Sequence, residues 1–306
     1  MVARWFAGLS RNASGSKIPV LALTSILVTG CAGSVLDPAG PVADGERLIL
    51  MDALGIMLVI VVPTILTTLW FAWWFRASNA AALYRPGWVY SDKLEVVVWC
   101  IPALTVLFLG GLAWTGSHEL DPRRPLQAQV PPLEVQVVSL DWKWLFIYPE
   151  QHVAMVNRLV LPVGRPVHFR LTSSSVMNVF FVPRLGGEIY TMNGMVTELN
   201  LQADRAGSYP GLSAQFSGDG FAGMHFDTQV TSASDFDRFV EQARAAPARL
   251  DSDTYKSLSR PSEGVPVQLF GNVSDGLFEN IASRRLPPGV GPATTGRPFA
   301  SAAGEN

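Results

Sequence analysis

Residues 53–75 read ALGIMLVIVVPTILTTLWFAWWF, and Arg76 follows: twenty-three positions without a charge, closed by an aromatic cluster and a cation. About 20 apolar residues in a helix cross the hydrocarbon core of a bilayer, so this run spans with some tilt. Trp70, Trp73, Trp74 and Arg76 fit an interfacial aromatic belt with a basic anchor. A second uncharged run, Val96 to Trp114, contains Cys100 and Pro102. Pro63 and Pro102 would break soluble helices, but membrane bundles tolerate them. Two such runs with aromatic ends predict a transmembrane helical hairpin over 48–116, with a loop at 76–95.

The whole chain agrees with that reading. Of its 306 residues only 16% are charged, against roughly 25% in ordinary soluble domains, and the mean hydropathy is +0.24. With 23 basic and 25 acidic residues, the net charge of −2 leaves no electrostatic footprint for nucleic acid. Two cysteines, Cys31 and Cys100, exclude a disulfide scaffold or a multi-cysteine zinc site.

Upstream of the hairpin, Arg4, Arg11 and Lys17 precede an uncharged stretch from Ile18 to Gly30, too short to span well. It closes on Leu27-Val28-Thr29-Gly30-Cys31, which resembles a bacterial lipoprotein cleavage box. Residues 1–30 are then a lipoprotein signal peptide, Cys31 the lipidated first residue, and 31–47 an external N-terminal segment. A plain signal peptide with an incidental cysteine is the alternative. Arg76, Arg85 and Lys93 favour a cytoplasmic loop. The expected location is therefore the bacterial inner membrane, two-pass, with the N-terminus and the C-terminal domain on the periplasmic side.

Beyond residue 117 the pattern is β. Leu133 to Val137 alternates apolar and polar, as a half-buried strand does, and short β-rich runs follow between Gly, Pro, Asn and Ser clusters. Many short strands with frequent turns predict an antiparallel sandwich or barrel over 117–232. Phe236, Phe239, Val240 and Ala243 keep helical spacing, and Leu277, Phe278 and Ile281 suggest a further short helix, so 233–285 is expected to be a helical extension. Pro, Gly, Ala and Ser dominate 286–306, which is expected to be disordered.

A two-helix hairpin carrying an external β domain resembles subunit II of haem–copper terminal oxidases. The resemblance rests on VSLDWKWLFIYPEQ (138–151), SVMNVFFVPRLG (175–186) and SAQFSGDGFAGM (213–224), and extends over about residues 35–285. It implies a cupredoxin-like fold, hence a membrane α + β chain. In the cytochrome c oxidases of that family, a Cys-x₃-Cys-x₃-His-x₂-Met loop and an earlier His hold two copper ions. On this sequence the early His falls on Asn178, the cysteines on Ser213 and Ser217, and the loop His on Phe221. Gln215 takes the position of the carbonyl donor, and only Met224 is retained. Hydroxyls do not replace bridging thiolates for copper, and phenylalanine offers no lone pair. No cysteine lies beyond Cys100, so the external domain is expected to hold no metal and no redox cofactor.

Family members without the copper centre are quinol oxidases, and the wording of these motifs resembles the bo-type or ba-type ubiquinol oxidases. The resemblance implies a non-catalytic subunit of a proton-translocating complex that oxidises ubiquinol and reduces oxygen to water. Haems and copper would lie in subunit I. Further expected partners are small membrane subunits and membrane lipid, but not cytochrome c. Glu95, at the cytoplasmic start of the second helix, matches the family's catalytic carboxylate at the mouth of a proton path, although a carboxylate there is also a favourable dipole partner. Trp142 and Trp144 match aromatic positions at the electron-accepting surface, and packing against subunit I is their expected role. His225 neighbours Met224, but adjacent strand residues point to opposite faces. The rival readings are a cytochrome c oxidase subunit II that lost its copper site, and a membrane-anchored cupredoxin-like assembly lipoprotein.

Overall fold

The computed structural model describes residues 35–291, Tyr84 excepted. The signal segment 1–30, Cys31 and the tail from 292 onward lie outside the described residues. Two long helices come first, α1 (Pro41–Trp74) and α2 (Asp92–Glu119), and both run through their internal prolines. Both exceed the uncharged runs that predict them. Asp44, Glu46, Arg47 and Asp52 interrupt the hydropathy before Ala53, yet backbone bonding continues through them from Pro41 at the first turn. The segment expected as an external arm up to residue 47 is thus partly helix. The loop contracts to 75–91, and Glu95 sits in the first turn of α2.

The helices meet where α1 begins and α2 ends, Leu120 covering Gly45 and Ile49 covering Gly116. Their most apolar stretches are not buried within the chain. The start of α1 is tied to the β domain. Ala39 N–H donates to the Arg184 carbonyl at 2.7 Å, and Asp37 pairs with Arg184 at 2.6 Å and Arg205 at 2.9 Å.

The β domain is a two-sheet sandwich. The first sheet comprises β1 (Leu133–Leu140), β2 (Lys143–Tyr148), β3 (Val153–Val156), β5 (Pro166–Ser173), β8 (Thr197–Gln202) and β12 (Gln268–Phe270), in the order β12-β3-β2-β1-β5-β8. The second comprises β4 (Arg158–Pro162), β6 (Asn178–Phe181), β7 (Ile189–Thr191), β9 (Gly207–Ser213) and β10 (His225–Thr231), in the order β4-β10-β9-β6-β7. The expected sandwich is present and most of its strand pairs are antiparallel, but β1 pairs with β5 and β4 with β10 in parallel. After β3 the chain changes sheet and returns beside β1. Apolar alternation reports which face a strand buries, not its direction.

The extension is also a correction. It contains α3 (Ala233–Arg244), α4 (Ser252–Leu258) and α5 (Leu277–Ala282), but β12 lengthens the first sheet and β11 (Arg249–Leu250) pairs with β13 (Asn272–Val273). Strands of two or three residues carry no readable period. One apolar cluster fills the space between the sheets, including Trp144, Phe146, Phe169, Phe180 and Phe226. A second lies between the outer face of β1–β3 and the extension, including Val138, Leu145, Tyr255, Phe270 and Phe278. The half-buried reading of 133–137 holds at Glu134, which stays partly exposed, whereas from Gln136 onward β1 and all of β2 are buried on both faces because the extension covers the other side. The tail expected to be disordered from 286 is ordered at its start, where Leu286 N–H donates to Asn280 O at 3.0 Å and Gly289 N–H to Ser174 O at 2.9 Å.

Candidate functional site

The strands bring the positions singled out in the sequence to one end of the second sheet. Asn178 opens β6, Ser213 closes β9, and Met224 immediately precedes β10. Between them, residues 214–224 form a loop containing a 3₁₀ turn, Asp219–Gly223. Asn178 and Ser213 are buried and joined, Ser213 Oγ donating to Asn178 Oδ1 at 3.2 Å. Ser213 N–H donates to Met224 O at 3.2 Å, and Ala214 N–H to Val179 O at 3.3 Å. The buried Ser217 Oγ has no partner among the described residues. Phe221 lies edge-on to Phe216, with ring centroids 5.7 Å apart. Gln215 contributes its carbonyl to Ser213 Oγ at 3.4 Å.

The donors at this locus are thus an amide, two hydroxyls, a carbonyl and one thioether, with an aromatic ring at Phe221. Such a set offers no soft bridging ligand and no imidazole. Met224 is buried while His225 is exposed on the opposite face, as strand alternation requires. Among the described residues, no group of three or more His, Cys, Asp or Glu side chains converges on a common point.

The two tryptophans separate sharply. Trp144 is fully buried between the sheets, 5.7 Å from Phe180 and 5.6 Å from Phe226, so its expected place at a subunit interface is corrected to the core. Its strand position points inward, and indole burial contributes the area. Trp142 sits in the turn between β1 and β2 with a φ of 65°, half-buried, and its Nε1 donates to Ser217 O at 3.1 Å. Its ring lies so close to Gly220 that a Cβ there would stand 2.4 Å away.

The residues flanking Trp142 escaped the sequence reading. Asp141 and Lys143 are almost fully buried, at 2% and 1% exposure. Lys143 Nζ donates to Asp141 O, Arg260 O and Ser262 Oγ at 3.1, 2.9 and 2.7 Å. Asp141 Oδ1 accepts from Ser175 Oγ. Burial pushes the Asp141 carboxyl up and brings Lys143 down to about 8, the neighbouring charge offsetting only part of the desolvation. The signal was present as two charges in the middle of VSLDWKWLFIY, a stretch otherwise suited to a core.

At the other end of the molecule Glu95 is exposed, three residues from Asp92 on α2. Hydrogen bonding to Glu95, and then to Asp92, holds the Tyr90 phenol above its ordinary value. Cys100 is exposed and forms no bridge among the described residues.

Residues 134–230 match the family described as "Cytochrome C oxidase subunit II, periplasmic domain", and residues 244–288 the "COX Aromatic Rich Motif". Fold and matches together define a class, a membrane-anchored oxidase subunit II with a cupredoxin-like domain. Among curated relatives, the cytochrome bo(3) ubiquinol oxidase subunit 2 of Pseudomonas putida is 47% identical over 262 residues, covering 86% of this chain and 83% of its own length. The ubiquinol oxidase subunit 2 of Acetobacter aceti is 48% identical over 263 residues, covering 85% of each. The chain belongs to the ubiquinol oxidase subunit 2 family. Among solved structures, the periplasmic domain of subunit II of cytochrome oxidase of Bradyrhizobium japonicum aligns with a TM-score of 0.37 and 21% identity, covering 39% of this chain and 96% of that one.

Proposed function

We propose that the chain is the structural subunit II of a proton-translocating ubiquinol oxidase, holding no redox centre of its own and docked on a subunit I that carries the haems and copper. The single observation behind this reading is the donor set at Asn178, Ser213, Ser217 and Phe221, which suits no thiolate-bridged copper pair. Electrons then reach subunit I from ubiquinol dissolved in the membrane rather than from cytochrome c through this domain. In this reading the two-pass chain lies in the bacterial inner membrane with its β domain on the outer side, an orientation supported by Arg76 and Arg85 in the loop between the helices. Small membrane subunits and lipid complete the apolar surroundings of α1 and α2.

Two surfaces carry specific roles in this reading. Glu95, exposed at the inner end of α2, collects protons from water and passes them to subunit I. The half-exposed Trp142 and the exposed Phe216 present the loop face to subunit I. Purifying the chain with its native partners and assaying oxygen uptake tests the function: ubiquinol supports uptake and reduced cytochrome c does not. Uptake driven by cytochrome c overturns the reading. Glu95→Ala is expected to lower turnover roughly tenfold while haem content is unchanged. Unaltered turnover removes Glu95 from the proton path.

A further inference from the structure

We infer that the turn Asp141–Trp142–Lys143 is a mechanical link through which the C-terminal extension holds the loop 213–224 in shape. One side of the turn is fastened to the extension. Two of the three acceptors of Lys143 Nζ, Arg260 O and Ser262 Oγ, belong to it, and Ser262 N–H returns a bond to Asp141 O at 3.5 Å. An ammonium has three donors, and all three are engaged here, so its direction is fixed. The strap that follows α5 presses on the same point. Gly289 N–H bonds Ser174 O, and a Cβ at Gly289 would stand 3.2 Å from both Ser174 Oγ and Ser259 O and 3.7 Å from Asp141 Oδ2.

The other side of the turn is fastened to the loop. Trp142 takes a left-handed backbone that a bulky residue rarely adopts, held there by two buried neighbours whose side chains cannot turn. In that conformation its indole N–H reaches Ser217 O and its ring lies against Gly220, in the middle of the loop. Elsewhere the loop is held by bonds at its two ends, Ser213 to Met224 and Ala214 to Val179, and by the internal bonds of its 3₁₀ turn. Trp142 therefore supplies the tie to the centre of the loop, and the extension fixes Trp142. Burial of the two charges fits this purpose better than stability, since both side chains shift toward their neutral forms.

Amide hydrogen exchange on the full chain in detergent tests the link, with the amides of Ser213, Ala214, Phe221 and Met224 as reporters of the loop. Lys143→Met and Gly289→Val are expected to raise exchange at these amides by about tenfold or more. Trp142→Phe is expected to do the same while leaving the extension amides of Tyr255 and Ser259 as protected as before. The amides of Val163, just past β4, and of Asp227 in β10, which bond Thr231 O and Asn157 O, report that each variant is folded. If Lys143→Met fails to fold, Gly289→Val and Trp142→Phe decide the question. Faster exchange confined to the extension in Lys143→Met or Gly289→Val, or an unchanged loop in Trp142→Phe, overturns the inference.

Discussion

The two faces of the first sheet are held by different physics. On the inner face, Trp144 meets Phe180 and Phe226, and the latter two rings stack at 5.3 Å with an interplanar angle of 13°. On the outer face, the extension combines an apolar cluster with the buried Asp141 and Lys143. Aromatic packing on the inner face contributes stability through area and tolerates small shifts. The polar contacts on the outer face contribute little net stability but accept only one docking geometry. The largest expected effect follows from this contrast. Trp144→Ala empties the inner core and is expected to destabilise the chain by roughly 4 kcal/mol, read as a lowered midpoint in denaturant or thermal melts in detergent. A loss under about 1 kcal/mol would mean that the sheets do not depend on this contact.

Lys143→Ala comes next, at about 3 kcal/mol, because it strips the buried acceptors Asp141 O, Arg260 O and Ser262 Oγ of their donor and removes the positive charge that offsets part of the desolvation of the Asp141 carboxyl. Replacing both, as Asp141→Asn with Lys143→Met, is expected to restore the midpoint to within about 1 kcal/mol of the native chain while loosening the extension. Failure of the double variant to recover would mean that the charges stabilise the fold as well as direct it.

A smaller effect is expected from pH. Lys143 falls from its ordinary 10.5 to about 8 in the folded chain. Between those values the unfolded chain keeps a proton that the folded chain has released. Stability conferred through this group therefore rises with pH across the window, and below about 8 the full desolvation penalty stands. Melting the native chain and Lys143→Met in parallel from pH 7.5 to 10.5 isolates the contribution. The native chain should gain on the variant as pH rises, and a constant gap would assign the slope to other groups.

The same contrast explains how much was legible in the sequence. Hydropathy found both membrane helices, since an uncharged run of about 20 residues has few other uses, but it lost the charged turns at their ends. The start of β1 was visible in the alternation from Leu133 to Val137, and the short β-rich runs after it, bounded by turn residues, announced a β domain. β7, β11, β12 and β13 were not visible, since strands of two or three residues form only where a neighbouring edge accepts them. The positions of the candidate site, Asn178, Ser213, Ser217 and Met224, could be named only through the family resemblance, by laying its ligand motif over this sequence. Their contacts could not, nor could the roles of Asp141 and Lys143. A buried charge pair is defined by what folds over it, and Arg260, Ser262 and Gly289 lie more than 100 residues further along the chain. Trp142 and Trp144 show the limit most clearly: two positions apart in sequence, they differ in environment because one occupies a turn and the other a strand.

The smallest effect on the isolated chain is expected at Phe216, which is 71% exposed and rests edge-on against Phe221. Phe216→Ser removes little buried area, so the melting midpoint should stay within about 0.5 kcal/mol of the native value. An exposed phenylalanine on a loop fixed by the neighbouring Trp142 has a different significance within a complex, where aromatic side chains often anchor interfaces. Under the proposed function, the variant should retain its fold yet recover less haem-bearing partner when purified from membranes in mild detergent. Equal recovery from native and variant chains would move the contact with subunit I away from the loop and onto α1 and α2, whose apolar surfaces the chain leaves exposed.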